Sequence, residues 1–222
     1  NGAEIYRVED TVERIVRSRK NVKDVDVYST TNVLMVSFNV DGQIYSNVRR
    51  VKDRRTNLIV VDRVNSFSRK FCSGGYTLEE GLKELEIIKN KPGISKRLHT
   101  FGAALSAAAL TVLLGGNFNE GIVAFFVSLV SWILTMYIGK NNLGYFIENF
   151  LSGIVVSSFT IIFTKALSIE VMDNIFIGAM MPYVPGFFIT NSVRDMMGGD
   201  TTTGLTGMTQ AILISAALAL GV

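Results

Sequence analysis

Between residues 4 and 17 the apolar side chains Ile5, Val8, Val12, Ile15 and Val16 recur at spacings of three and four. That places them on one face of an amphipathic helix, with charged residues on its other faces. After Lys20 the pattern changes to β-branched runs over residues 25–29, 33–40, 43–51 and 58–64, each of strand length. Asp41-Gly42 sits between the second and third runs, and this pair readily takes the positive φ angles of a tight type I′ turn, which predicts a hairpin. Thr77 and Glu80 have the T-x-x-E spacing of a capping box and predict a helix over 78–90, stopping before Pro92-Gly93. Residues 1–97 therefore read as a soluble α+β domain: helix, four-stranded meander, helix.

From residue 98 the pattern is different in kind. Five apolar windows follow, over 98–116, 121–138, 143–164, 174–189 and 205–221. Each is long enough at 1.5 Å per residue to cross a hydrocarbon core of about 30 Å, the shortest with little tilt to spare. The segments between them are short and hold the polar breakers, among them Gly115-Gly116-Asn117 and Gly139-Lys140-Asn141-Asn142. Residues 98–222 are expected to form an all-α polytopic membrane bundle of about five transmembrane helices. Small residues crowd the first window (Gly102, Ala103, Ala104, Ser106, Ala107, Ala108, Ala109) and the third (Gly153, Ser157, Ser158), where they let helix backbones approach closely.

Charge sharpens this division. The chain is 48% apolar with a mean hydropathy of +0.33, but residues 1–97 carry 19 of the 22 Lys and Arg and 13 of the 19 Asp and Glu. Lys89, Lys91, Lys96 and Arg97 precede the first window, so the positive-inside rule puts the front domain in the cytoplasm. Lys140 and Arg194 fit the resulting alternation; Lys165 does not, though Glu170 and Asp173 accompany it. Trp132 and Tyr137 fall toward the cytoplasmic half of the second window, where Tyr137 suits an interface anchor. The basic run Arg49, Arg50, Lys52, Arg54 and Arg55 lacks interleaved aromatic residues, so it reads as a solvated loop and no nucleic-acid partner is expected.

A single cysteine, Cys72, and a single histidine, His99, allow neither a disulfide framework nor a zinc site within one chain. Cys72 reads as a packing residue. With no G-x-x-x-x-G-K-S/T loop either, no cofactor, no ATP-driven transport and no enzyme activity are expected. No Met opens the chain and Asn1 already begins helical sequence, so a short natural N-terminus is expected to precede it; no signal peptide is read.

The chemistry concentrates in the fourth window and just beyond it. Pro182 and Pro185 remove two helix donors and Gly186 leaves freed carbonyls unshielded, so this span should be kinked or broken. Transporters place solute sites at such breaks, although a purely structural kink is common too. Thr190 and Arg194 are four apart, as are Asn191 and Asp195, which sets a polar face on one helix. Arg194 is suited to hold a substrate carboxylate, with Pro185, Gly186, Thr190 and Asn191 as the other substrate-binding candidates. Its alternatives are an interface anchor or an ion pair with a neighbouring acid. Glu148, about a turn and a half into the third window, is a proton-coupling candidate or, if the span starts later, a headgroup-zone acid. Asp195 and Asp200 are coupling candidates or simple loop acids.

Two segments, Gly2-Ala3-Glu4-Ile5-Tyr6-Arg7-Val8-Glu9-Asp10-Thr11 and Pro185-Gly186 through Asn191, Arg194-Asp195, Gly199-Asp200, Gly204 and the Ala-rich ending, resemble the threonine/serine exporter family. The likeness runs the whole chain in order. It implies a secondary exporter in a bacterial or archaeal cytoplasmic (inner) membrane, using the proton gradient to move threonine, serine or small dicarboxylates outward. It also implies partners: a second, small membrane subunit, of which this chain looks like the larger companion, and a higher oligomer. Carried over by position, the resemblance points to Glu4, Arg7 and Glu9, whose roles it leaves open, and to Pro185, Gly186, Asn191, Arg194, Asp195, Gly199, Asp200 and Gly204. The family pattern after Gly204 has a basic and then an acidic residue where this chain has Gly207, Met208 and Gln210, a departure that bears against a charge pair in the fifth span. The competing functions are a gated channel in an oligomer and a membrane-anchored assembly or regulatory protein.

Overall fold

The computed structural model describes every residue except Asn1, 52–56, Pro92, Asn142, Glu170 and Val171, and describes Asn141 as backbone only. The parts of the sequence reading that rest on Asn1, on Lys52, Arg54 and Arg55, on Pro92 as a helix stop, on Asn142 and on Glu170 lie outside the described residues. Two compact units result, Asn1–Gly93 with Thr190–Gly207, and Ile94–Ile189 with Met208–Val222. The first boundary falls at Gly93 rather than at residue 97, and a late segment of the chain joins the N-terminal unit.

In the first unit, α1 (Ile5–Arg17) is followed by an antiparallel meander of β1 (Val22–Ser29), β2 (Val33–Val40) and β3 (Gln43–Arg50) in the order β1-β2-β3. The hairpin turn is as expected: Asp41 (φ 52) and Gly42 (φ 87) both lie in the left-handed region, and Val40 pairs with Gln43 across it. A bulge between Lys23 and Asp26 re-aims β1, and α1 packs along that strand. There the Glu9 carboxylate accepts the Ser29 N–H at 2.7 Å.

The expected fourth strand is not one. Residues 58–64 open a helix, α2 (Leu58–Cys72), so the meander has three strands and two helices follow it. The β-branched run Ile59-Val60-Val61 favours a strand locally. But Val60 and Val64 continue at helical spacing into Phe67 and Phe71, which bury with Ile88 of α3 (Leu78–Asn90) and pack with Ile15 and Tyr76. Burial of that stripe outweighs an intrinsic preference worth at most about 1 kcal/mol per residue. Asn57 fixes the start, its side chain accepting the Val60 N–H. Thr77 and Glu80 form the expected capping box at the start of α3. Gly81 lies against the Phe71 ring, where a Cβ would come within 2.7 Å.

The second unit contains α4 (Lys96–Leu113), α5 (Phe118–Ile138), α6 (Tyr145–Ala166) and α7 (Asp173–Met180). Its core joins Val123, Ala124 and Val127 of α5, Val156 of α6, and Ile175 and Ala179 of α7. Ala103, Ala104 and Ala107 of α4 are buried, and Gly178 of α7 sits so close to Thr111 and the Ala107 carbonyl of α4 that no side chain fits. Gly102, by contrast, faces open space.

Among the described residues three helices are long and apolar enough to cross a membrane: α5, α6 and α9 (Thr201–Leu220). At 20 to 22 residues each, they are about 30 Å long. Their outward faces carry Ile122, Phe126, Ile154, Ile162, Ile212 and Leu213, large apolar side chains on a scale that a water-facing surface does not carry. Of the about five spans expected, these three meet that measure of length and composition. The first expected span is α4, 18 residues beginning on Lys96-Arg97. The fourth does not exist as one helix: α7 ends at Met180, Met181–Tyr183 makes a 3-10 turn, and α8 runs Gly186–Met197. The two prolines and Gly186 break the span where expected, and α8 continues past residue 189.

Candidate functional site

The part of α8 that belongs to the first unit presents Asn191, Arg194 and Asp195, at i, i+3 and i+4, on one face. All three engage the beginning of the chain. The Asn191 side-chain amide donates to the Gly2 carbonyl at 3.1 Å. Arg194 Nη1 donates to Glu4 Oε1 at 2.8 Å. Asp195 Oδ1 accepts the Ile5 N–H at 3.0 Å. The second Glu4 oxygen takes Arg7 Nη1 at 3.1 Å. Residues quoted in the two separate motifs are thus partners across 190 positions of sequence.

Glu4 is the N-cap residue of α1 but makes no side-chain cap. Its side chain turns instead toward the two guanidiniums, and Asp195 supplies the missing anion at the start of α1, beside the first free N–H. Glu4 and Asp195 are both buried, with opposite consequences. For Glu4, burial pushes the carboxyl up, but bonds from its own backbone, Arg194 and Arg7 outweigh this and hold it below its ordinary value. For Asp195, burial is again the largest effect; the Ile5 N–H opposes it, but the nearby charges of Asp200 and Glu4 add to it, and the carboxyl is raised.

The turn after α8 explains three more motif positions. Gly199 has φ +95 and closes the helix, with Asp200 N–H returning to the Asp195 carbonyl at 2.9 Å. Asp200 then caps α9 by accepting the Thr203 N–H at 3.2 Å. Gly204 lets α9 approach α8: a Cβ there would lie 2.7 Å from the Ser192 carbonyl and 3.1 Å from the Met196 nitrogen. Gly198 likewise faces Tyr6, with 3.7 Å left for a Cβ.

Of the sequence candidates, the structure brings together Glu4, Arg7, Asn191, Arg194 and Asp195, with Asp200 close enough to bear on Asp195. Glu9 serves β1, and Thr190 is exposed on α8. Pro185 and Gly186 form the break and belong to the second unit, as does Glu148. Glu148 lies in the first turn of α6, where the helix dipole favours a carboxylate, and forms no ion pair among the described residues.

Sequence reasoning missed the main-chain half of this cluster, the Gly2 carbonyl and the Ile5 N–H, because backbone atoms carry no residue signature. It also missed two features of the second unit. His99 stacks on Trp132 with centroids 5.5 Å apart, Trp132 meets Tyr183 at a tilt with centroids 5.2 Å apart, and Thr135 Oγ1 lies 3.3 Å from the Tyr183 hydroxyl. Ser128 and Ser131 of α5 are fully buried, with hydroxyls that have no partner among the described residues. Their three-residue spacing inside an apolar window was the available signal.

The family described as "Putative threonine/serine exporter" matches residues 1–222. The chain is 25% identical over 224 residues to a protein of Klebsiella aerogenes named "Probable succinate transporter subunit YjjP", covering 100% of this chain and 86% of that one. It is 24% identical to the protein of the same name in Escherichia coli strain K12, with the same coverage. To the "Threonine/serine exporter" of Corynebacterium glutamicum it is 22% identical over 204 residues, which are 89% of this chain and 42% of that protein. No solved structure matches.

Proposed function

The chain belongs to the threonine/serine exporter family, and from that premise we propose that it is one subunit of a proton-driven exporter of small carboxylate-bearing metabolites, with Arg194 holding the carboxylate. The observation that carries this reading is the setting of Arg194. Its side chain is 58% exposed on a polar helix face that begins after a broken helix, and the group it already binds is a carboxylate. A guanidinium that faces solvent on one side and a carboxylate on the other is suited to exchange one carboxylate for another.

Within this proposal Asp195 is the coupling acid. It is buried and its carboxyl is raised, which favours proton uptake there, whereas Asp200 serves as the cap of α9. The N-terminal domain lies in the cytoplasm, following the cations before α4. A second membrane subunit completes the path. The word "subunit" in the names of two relatives and the 42% coverage of the Corynebacterium exporter support that partner.

The test is counterflow of labelled threonine, serine and succinate in vesicles containing the chain, with and without an imposed pH gradient. Uphill accumulation that follows the gradient and is lost in Arg194→Ala, with the variant still inserted and assembled, is the expected result. Flux that never exceeds equilibrium would make the protein a channel, and full flux in Arg194→Ala would remove that residue from the path.

A further inference from the structure

The face of α8 that carries Arg194 also carries Asp195 and Asn191, and all three are occupied by one short piece of the same chain. Glu4 presents a carboxylate to Arg194, and the next residue, Ile5, presents an N–H to Asp195. A carboxylate beside an N–H donor is also what an α-amino acid offers, and an Arg-Asp pair is complementary to it. We propose that Gly2–Ile5 is an internal occupant of the solute site, a built-in mimic that a free α-amino acid must displace from Arg194 and Asp195. The proposal rests on the reading of Arg194 as the carboxylate site.

Three features of the cluster support it. Glu4 stands at the N-cap position yet does not cap, and its side chain reaches Arg194 instead. The contact is held by Nη1 alone rather than by a two-pronged fork, the form in which Arg binds carboxylate most firmly. The exposure is one-sided: the Glu4 side chain is 7% exposed and that of Arg194 58%. An incoming carboxylate therefore reaches the guanidinium from solvent without first opening the unit.

The pairing also discriminates between solutes. The ammonium of an amino acid satisfies Asp195 as the Ile5 N–H does. A dicarboxylate would bring its second negative charge toward Asp195, which the charge of Asp200 already burdens. The arrangement therefore favours amino acids over dicarboxylates of similar length. Since an occupied site binds solute only in the fraction of molecules whose segment has left, removing the mimic raises the apparent affinity by the inverse of that fraction.

The experiment has two arms on the full chain. In the first, hydrogen exchange of the peptide covering residues 2–8 is followed in lipid nanodiscs with millimolar L-threonine, L-serine, succinate or sodium chloride. Faster exchange with the amino acids, and not with succinate or chloride, is expected; no change with either amino acid overturns the proposal. In the second, the half-saturating concentration for amino-acid flux is compared in wild type and Glu4→Gln. A fall of roughly 3- to 10-fold is expected, whereas an unchanged or higher value would make Glu4 a structural anchor only. If wild type moves no solute, the exporter reading fails and the first arm alone still decides the proposal. Flux without faster exchange fails this proposal and leaves the exporter reading intact.

Discussion

Asp195→Ala should loosen the start of α1, although Asp195 and Ile5 lie 190 positions apart in sequence. The substitution removes the acceptor of a buried N–H, that of Ile5. A buried donor left without a partner costs about 1–3 kcal/mol. Loss of the negative charge beside the helix start adds about 0.3–1 kcal/mol. Relief of the burial of that charge and of its repulsion from Asp200 and Glu4 offsets the charge contribution, so the lost acceptor sets the net loss, about 2 kcal/mol. For a chain of this size that is a fall in melting temperature of about 4–8 °C.

Asp195→Asn separates the two contributions, because its carbonyl still accepts the Ile5 N–H while its charge is gone; its melting temperature should stay within about 2 °C of wild type. The assay is thermal unfolding of the purified full chain, with hydrogen exchange of residues 2–10 as the local readout. The sign of the pH dependence follows from the shift. Asp195 has a folded value above its ordinary 3.8, so the stability linked to its proton is fully present below that value and is lost as pH rises through the folded one. Wild type should therefore lose ground to Asp195→Asn on going from acid to neutral pH. Glu4 acts oppositely: its folded value is below the ordinary 4.5, so its contribution is present above that value and is lost as pH falls through the folded one. Equal melting of the Ala and Asn variants would refute the reasoning, because it would show that the acceptor contributes nothing.

Gly204→Val should destabilise by about 1–3 kcal/mol, since its side chain must enter space held by the Ser192 carbonyl and Met196; Gly102→Ala, at an open position, should melt like wild type in the same thermal assay. Pro at Val61 should cost about 3 kcal/mol or more by breaking α2, and circular dichroism would register lost helix, whereas a strand at 58–64 would lose none. Ser128→Ala and Ser131→Ala each remove a buried hydroxyl without a partner among the described residues and should leave thermal stability unchanged or raise it by up to about 1 kcal/mol. A fall of more than that would mean the hydroxyls are satisfied.

The features that sequence specifies locally were legible. Asp41-Gly42, the Thr77–Glu80 box and the break at Pro182–Gly186 each depend on residues within a few positions of one another, and each forms as read. Residues 58–64 were misread because Ile59, Val60 and Val61 favour strand within a short window, while the deciding partners, Phe67, Phe71 and Ile88, lie outside it. Apolar windows located α5, α6 and α9, but hydropathy alone did not distinguish a continuous helix from the interrupted α7 and α8. The polar face of α8 was foreseen as a set of residues. Its occupant was not, because pairing over 190 positions, partly through backbone atoms, leaves no periodicity to read.

The trans-acting cap on α1 also sets a clock. Asp195 is made some 190 residues after Ile5, which at about 5–20 residues per second is a delay of roughly 10–40 s. Throughout that interval Glu4 has Arg7 within its own helix but no Arg194, and the first N–H of α1 has no acceptor from α8. Closure of the N-terminal helix onto α8 is therefore a late event in biogenesis, and a chain truncated before Asn191 carries an unlatched front end. The same contact makes the packing of the N-terminal helix wait on the synthesis of α8.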